Sequence, residues 1–197
     1  MMKLKVFVAE SVHATDFYAR DWEGHVVEEI VRLLRGKASY RIVLNKKLLR
    51  KAIKTASDKG YGIFHLSCHG DKDGIRLTNR TDISWDELAD CFQTGKTMPA
   101  ALIISSCVSG DGGIARAFAK RKHRPRVIFG SEGRKNHRIT FAGACISWPI
   151  LYTVLATRGM GADAFKDAVR KMNKITAHRF VYRRWADTGY RRYRSLD

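Results

Sequence analysis

Two short stretches hold the side chains best suited to chemistry. "FHLSCHG" (64–70) ends an apolar run with Cys68, His69 and Gly70, and "IISSCVSGDGG" (103–113) ends another with Cys107. A thiol and an imidazole brought together form a nucleophile with its acid/base partner. If the two runs are neighbouring parallel strands, about 4.8 Å apart, His69 and Cys107 share the space beyond their carboxyl ends, where open parallel sheets build their sites. Gly70 is expected to let the chain turn sharply and expose its N–H. The backbone N–H groups of Gly70 and Cys107 would then hold the oxyanion of a tetrahedral intermediate. The small residues of "CVSGDGG" admit a substrate backbone, and a helix start followed by dense Lys and Arg suits a thiolate. Taken singly, a cysteine at a strand end is a small apolar residue, and a histidine there is one satisfied by its surroundings. His65, Cys68, His69 and Cys107 are also metal-ligand types. Neighbouring residues on a strand point to opposite faces, and no CxxC or helical HxxxH spacing occurs, so neither a metal nor a cofactor is expected.

Several elements must position this pair. "LKVFVAE" is a first strand, and "DWEGHVVEEIVRLLRG" is a helix with apolar residues at helical spacing. "YRIVLN" is a second strand, "KKLLRKAIKTASDKG" a helix, and "YGIFHLSC" a third strand apolar enough to be buried on both faces. "DGIRLTNRTDISW" is a short β excursion, and a small helix starts at Trp85. "AALIISSC" is the fourth strand, "GGIARAFAKRK" a helix and "RPRVIFGSE" the fifth strand. A long apolar helix "TFAGACISWPILYTVLATRG" and an amphipathic one, "GADAFKDAVRKMNK", follow. This alternation predicts an α/β fold, a mostly parallel central sheet with helices on both faces. Residues 141–157 carry no charge and sit at the lower limit for a bilayer span. A helix buried against the sheet is the expected reading, because the alternation already requires one there.

The chain has 197 residues, enough for one domain. Its four cysteines, without CxxC pairing, fit a reducing compartment. No leader-like start is seen, so a cytoplasmic location is expected and a membrane is not an expected partner. Lys and Arg number 37 against 19 acids, a net charge of +18, which draws polyanions or acidic partners and says nothing about fold.

"HLSCHG", "LIISSCVSGDGG" and "RVIFGSE", followed by the long apolar helix, resemble the caspase-like cysteine peptidases, most closely their separase-related CHAT branch. The resemblance runs from about Val6 to Lys174. It implies a caspase–haemoglobinase-like fold and metal-free peptide-bond hydrolysis by a His–Cys dyad, His69 as general acid/base and Cys107 as nucleophile. It further implies a protein substrate, and a setting in bacterial regulated proteolysis, defence or cell death. Cys68 falls where relatives often carry a cysteine of no catalytic role. Ser105 stands where some relatives place an aspartate that binds a basic substrate side chain. The chain lacks an attached sensor region, and a separate regulatory protein partner is one way to supply that function.

Two segments remain. Residues 1–175 form the peptidase-like domain, and 176–197 a basic, aromatic C-terminal tail or helix. In that tail Arg179, Arg183, Arg184, Arg191, Arg192 and Arg194 interleave with aromatics, a pattern that suits nucleic acid, docking on a protein, or a solvated final helix. A rival function is therefore a nucleic-acid-binding module, and another an inactive peptidase-like interaction domain. For specificity, Ser131 and Glu132 after the fifth strand are expected to line the pocket beside Cys107. Asp71 and Asp73 are placed to assist, and cleavage after Arg or Lys is expected. A salt bridge from Glu132 to Arg134 or Arg126 is the plain alternative.

Overall fold

The computed structural model describes residues 3–133, 139–176 and 178–193. In chain order the elements begin β1 (Lys5–Ser11), α1 (Ala14–Ala19), α2 (Glu23–Leu33), β2 (Lys37–Ile42), α3 (Lys46–Asp58), β3 (Ile63–Gly70), β4 (Gly74–Arg76) and β5 (Asp82–Ser84). They continue α4 (Trp85–Cys91), β6 (Ala101–Ser105), α5 (Gly113–Ala119), β7 (Val127–Ser131), α6 (Phe141–Arg158), α7 (Ala162–Ile175), β8 (Phe180–Ala186) and β9 (Gly189–Tyr193). The strands lie in the order β2-β1-β3-β6-β7-β8-β9, with β4 and β5 forming a hairpin off the end of β3. The pairings from β2 through β7 are parallel. This is the α/β arrangement that the alternation of apolar runs predicts.

Strands β3, β6 and β7 are buried on both faces, which explains why they read as unbroken apolar runs. One core, with Phe64, Leu66, Leu102 and Ile104, packs under α3, α4 and α5. The other, with Ile63, Ile103, Phe129, Trp148 and Phe165, packs under α2, α6 and α7. Helix α6 starts at Thr140, whose hydroxyl accepts from the Gly143 N–H, and ends before Gly159 at φ +79°. Its Trp148, Leu151 and Tyr152 are wholly buried against the sheet. No helix among the described residues is long and apolar enough to cross a membrane.

The C-terminal segment differs from expectation. It is neither a tail nor a helix: β8 pairs antiparallel with β7 from Ser131↔Phe180 to Val127↔Arg184, and β9 pairs antiparallel with β8. Phe180, Val181 and Tyr182 are buried, and the Phe180 ring lies 5.5 Å from Trp148 and 5.9 Å from Phe129. The hairpin therefore belongs to the core that β3, β6 and β7 share. Alternation separates the arginines as well. Arg183 faces Arg192 across the ladder and Arg184 faces Arg191, a like-charge opposition that costs stability unless each pair finds an acceptor. Arg194 lies outside the described residues.

Candidate active site

The register of β3 against β6 sets the site. Ser67 pairs with Ser105, and His69 and Cys107 each lie two residues further on. With a side-chain period of two, His69 falls on the face of His65 and Ser67, and Cys107 continues the parity of Ile103 and Ser105. Cys68 takes the opposite face, packed against the core under α3 to α5. Burial pushes its thiol far up, and the charge of Glu23 adds to that. His69 and Cys107 line one cleft of about 170 Å³, together with Asp16, Asp21, Glu23, Ser67, Cys68, Ser105 and Ser106.

The backbone after Cys107 is unusual. Val108 holds φ +67° and ψ 1°, a left-handed conformation that a β-branched residue rarely adopts and that marks a position the surroundings over-determine. Those surroundings are hydrogen bonds. The Ser109 hydroxyl donates to the Ile104 and Ser106 carbonyls, and the Ser131 hydroxyl also donates to Ser106 O, both at 2.9 Å. Arg183 of β8 donates to Gly110 O at 3.1 Å. A 3-10 turn (Ser109–Asp111) follows directly, so α5 begins six residues beyond the thiol.

Gly70 has a role other than the one expected of it. It does not make a turn; it is the last residue of β3 and pairs with Ile75 of β4. A Cβ there would lie 2.8 Å from Ser106 Oγ and 2.9 Å from Gly74 O, so close approach is what requires glycine.

Sequence reading missed α1. This six-residue helix has no buried residue, and its capping side chain is His13. Its Asp16 Oδ2 lies 2.6 Å from His69 Nε2. That contact occupies one of the two imidazole nitrogens. The only advance signal was an acid three residues after a polar one, too weak a cap to register.

Of the residues expected to bind substrate, Ser105 lines the cleft beside Cys107. Asp71 and Asp73 line a second, larger hollow of about 430 Å³ on the other side of His69, with Asp82 and Glu87. Ser131 and Glu132 are not among the residues lining either hollow. Ser131 is spent on the Ser106 carbonyl, and Glu132, 6% exposed, is ion-paired with Arg192 of β9. Among the described residues the cation paired with Glu132 is supplied by the hairpin, and Arg134 lies outside the described residues. Arg183 is half-buried against the Cys107 loop, while Arg179, Arg184, Arg191 and Arg192 are exposed, Arg192 with its guanidinium on Glu132.

His65, fully buried, is part of the scaffold. Its Nδ1 lies 2.8 Å from the Tyr152 hydroxyl and its Nε2 3.5 Å from Glu23 Oε1. Glu23 Oε1 also accepts from Trp148 Nε1 at 2.6 Å. Glu10, behind the cleft, accepts from Gly24 N–H and the Tyr40 hydroxyl, yet burial drives its carboxyl upward, with Glu23 adding to the shift. Among the described residues no three His, Cys, Asp or Glu side chains are grouped to hold a metal.

No protein-family model matches the chain, and no curated protein does. Solved structures do. A secreted C11 cysteine protease from Bacteroides thetaiotaomicron, iotapain, superposes with a TM-score of 0.54 at 9% identity over 93% of this chain and 67% of its own. A complex of the pro- and mature domains of Porphyromonas gingivalis RgpB gives 0.55 at 11% identity, over 87% of this chain and 43% of that one. The Arg-specific cysteine proteinase gingipain R gives 0.53 at 12% identity, over 85% and 42%. The fold is caspase–haemoglobinase-like. At these identities the likeness is one of fold, and the chain spans less than half of the gingipain structures. Within the caspase-like fold, the cleft lies where β3 and β6 end side by side.

Proposed function

We propose that the protein is a cysteine endopeptidase in which Cys107 is the nucleophile and His69 the general acid/base. One observation supports the reading: the β3–β6 register brings His69 and Cys107 to one cleft, where the Cys68 thiol, which also lines it, is pushed far up by burial. Asp16, on His69 Nε2, is a positioning residue that orients the ring toward the thiol. Nδ1 takes the thiol proton as Sγ attacks the scissile carbonyl. The Gly70 and Cys107 N–H groups are assigned to the oxyanion. His69 then protonates the leaving amine, and water, deprotonated by the same ring, hydrolyses the acyl-enzyme. Cleavage after a basic residue is supported by the acids around His69 in a chain of net charge +18. One neighbour's description as Arg-specific agrees with this. The CHAT resemblance, a cytoplasmic location, a role in bacterial proteolysis or defence, and a regulatory protein partner belong to the same reading. Domain boundaries at 175/176 do not, because β8 and β9 complete the sheet.

The test is labelling by peptide acyloxymethyl ketones, with turnover of the matching fluorogenic peptides. Cys107 should carry the label, Cys107→Ala should abolish turnover and His69→Ala should nearly do so, while Cys68→Ala keeps most of it. Label on Cys68, or turnover surviving in Cys107→Ala, rejects the assignment. EDTA should change nothing.

A further inference from the structure

The floor of the 170 Å³ cleft holds an unusual carboxylate. Glu23 is 7% exposed, in the first turn of α2, where the helix start favours an anion. Its Oε1 is fixed by Trp148 and approached by His65, and no hydrogen bond reaches Oε2 among the described residues. Among the described residues no lysine or arginine pairs with it. Asp21 stands on the same wall, also without a cationic partner among the described residues. A second observation is independent of the acids: the Ser105 and Ser106 hydroxyls, each 2% exposed and lining this cleft, have no hydrogen-bond partner. Buried polar atoms in native folds are nearly always paired, so two adjacent unpaired hydroxyls at a cleft call for a partner. The wall is thus rich in acceptors, and its volume is on the order of five or six waters.

We infer that Glu23, assisted by Asp21 and the Ser105 hydroxyl, is the group that reads the substrate residue before the scissile bond, and that this residue is arginine. The inference rests on the peptidase reading for its location, and it moves the specificity acid from Glu132 to the opposite side of Cys107. A guanidinium has five donors and no acceptor, so it matches a wall of carboxylate and free hydroxyl oxygens. Its planar fork can engage Glu23 Oε2 and a second acceptor at once, which the point charge of lysine cannot do as well. Glu23 is rigid, held by an indole on one oxygen, so little ordering remains when the guanidinium arrives.

Two measurements on the full chain test this. In the first, acyloxymethyl ketone peptides differing only in the residue before the warhead (Arg, Lys, citrulline, Leu, Asp) compete for Cys107, and iodoacetamide reports intrinsic thiol reactivity. The Arg probe should react at least tenfold faster than its neutral isostere citrulline. Glu23→Gln, which can still accept from Trp148, should erase most of that ratio with the iodoacetamide rate unchanged. Asp21→Asn, at the rim where no fold depends on it, should lower the ratio severalfold, and Glu132→Gln should leave it intact. An Arg-to-citrulline ratio unaltered in both Glu23→Gln and Asp21→Asn, or a wild type that prefers Leu or Asp, overturns the inference. In the second, agmatine binding is measured by NMR on Cys107→Ala. Binding lost in Glu23→Gln supports the pocket even if no peptide is ever cleaved. Peptide labelling after arginine without Glu23-dependent agmatine binding rejects the pocket and keeps the peptidase.

Discussion

Glu23 and Glu132 flank the cysteine loop from opposite sides, both buried carboxylates in a strongly basic chain. Glu132 meets Arg192, which the β8–β9 hairpin presents beside Arg183. It neutralises a cross-strand arginine pair and belongs to the stability of the sheet. Glu23 meets an indole, a histidine and an open cleft. In sequence they differ, Glu132 standing alone in a basic stretch and Glu23 close to Asp21, Glu28 and Glu29. Whether the fold supplies a cation to pair with the acid decides if it is structural or available. The rest of the molecule divides the same way: residues on the β1–β3–β6 side should govern turnover, and those on the β7–β9 side should govern stability.

The largest effects should separate the two sides completely. Phe180→Ala removes a wholly buried ring packed on Trp148 and Phe129, and it should cost about 3–5 kcal/mol in chemical denaturation. Cys107→Ala should remove all turnover with a melting temperature near that of the wild type. A Cys107→Ala protein that unfolds, or a Phe180→Ala protein with unchanged stability, breaks the division. Asp16→Asn comes next. Asp16 is a third exposed, so the loss in kcat should fall short of the ~10⁴ known for a buried triad aspartate, on the order of tenfold to a hundredfold. KM should hold, and Asp16→Glu should restore part of the rate. An equal rise in KM would make the contact merely structural.

Glu132→Gln should act on the denaturation midpoint rather than on substrate choice, costing about 1–3 kcal/mol because Arg192 loses its charged acceptor. The smallest effect lies furthest from the cleft. Asp167 of α7 is paired with Arg158, Arg170 and Lys171, and these partners hold its carboxyl down at about 2, the Lys171 contact contributing most. A depressed carboxyl stabilises the fold above its unfolded value near 4 and loses that contribution as pH falls toward 2. Asp167→Asn should therefore cost about 1 kcal/mol at pH 7, since the partners are half exposed, and nothing below pH 2. Glu10 runs the other way. Its raised carboxyl makes the folded state hold a proton, so the stability of the wild type should fall as pH rises from the unfolded carboxyl value through the folded one. Glu10→Gln should gain over that same window, as thermal melts across pH would record.

Much of the fold was legible because unbroken apolar runs and helical spacing report burial directly. Strands β3, β6 and β7 and helices α3 to α7 lie close to where their patterns place them. The proximity of His69 and Cys107 followed from adjacency of two such runs. What escaped depends on partners distant in sequence. Arg192 lies sixty residues from Glu132, and no local window links them. The hairpin was obscured by its arginines, although Phe180, Val181 and Tyr182 form a short apolar run and "ADTG" carries a turn between Ala186 and Gly189. Helix α1 buries nothing, so hydrophobic periodicity had nothing to report, and its Asp16 came into view only beside His69. Ser131 reads as a pocket residue by its position after a strand; only the carbonyl of Ser106 accounts for it.

The dependence of the Cys107 turn on β8 has a consequence for the chain as it is made. Val108 keeps its left-handed backbone while Ser131 and Arg183 grip the loop on either side, and Ser131 itself is paired with Phe180. Phe180 is synthesised 73 residues after Cys107, an interval of roughly 4–15 s at ribosomal speeds of ~5–20 residues per second. Throughout that interval the thiol is present without the brace that seats it. On the peptidase reading proposed above, the late strand acts as a timer that arms Cys107 only once the sheet has been closed.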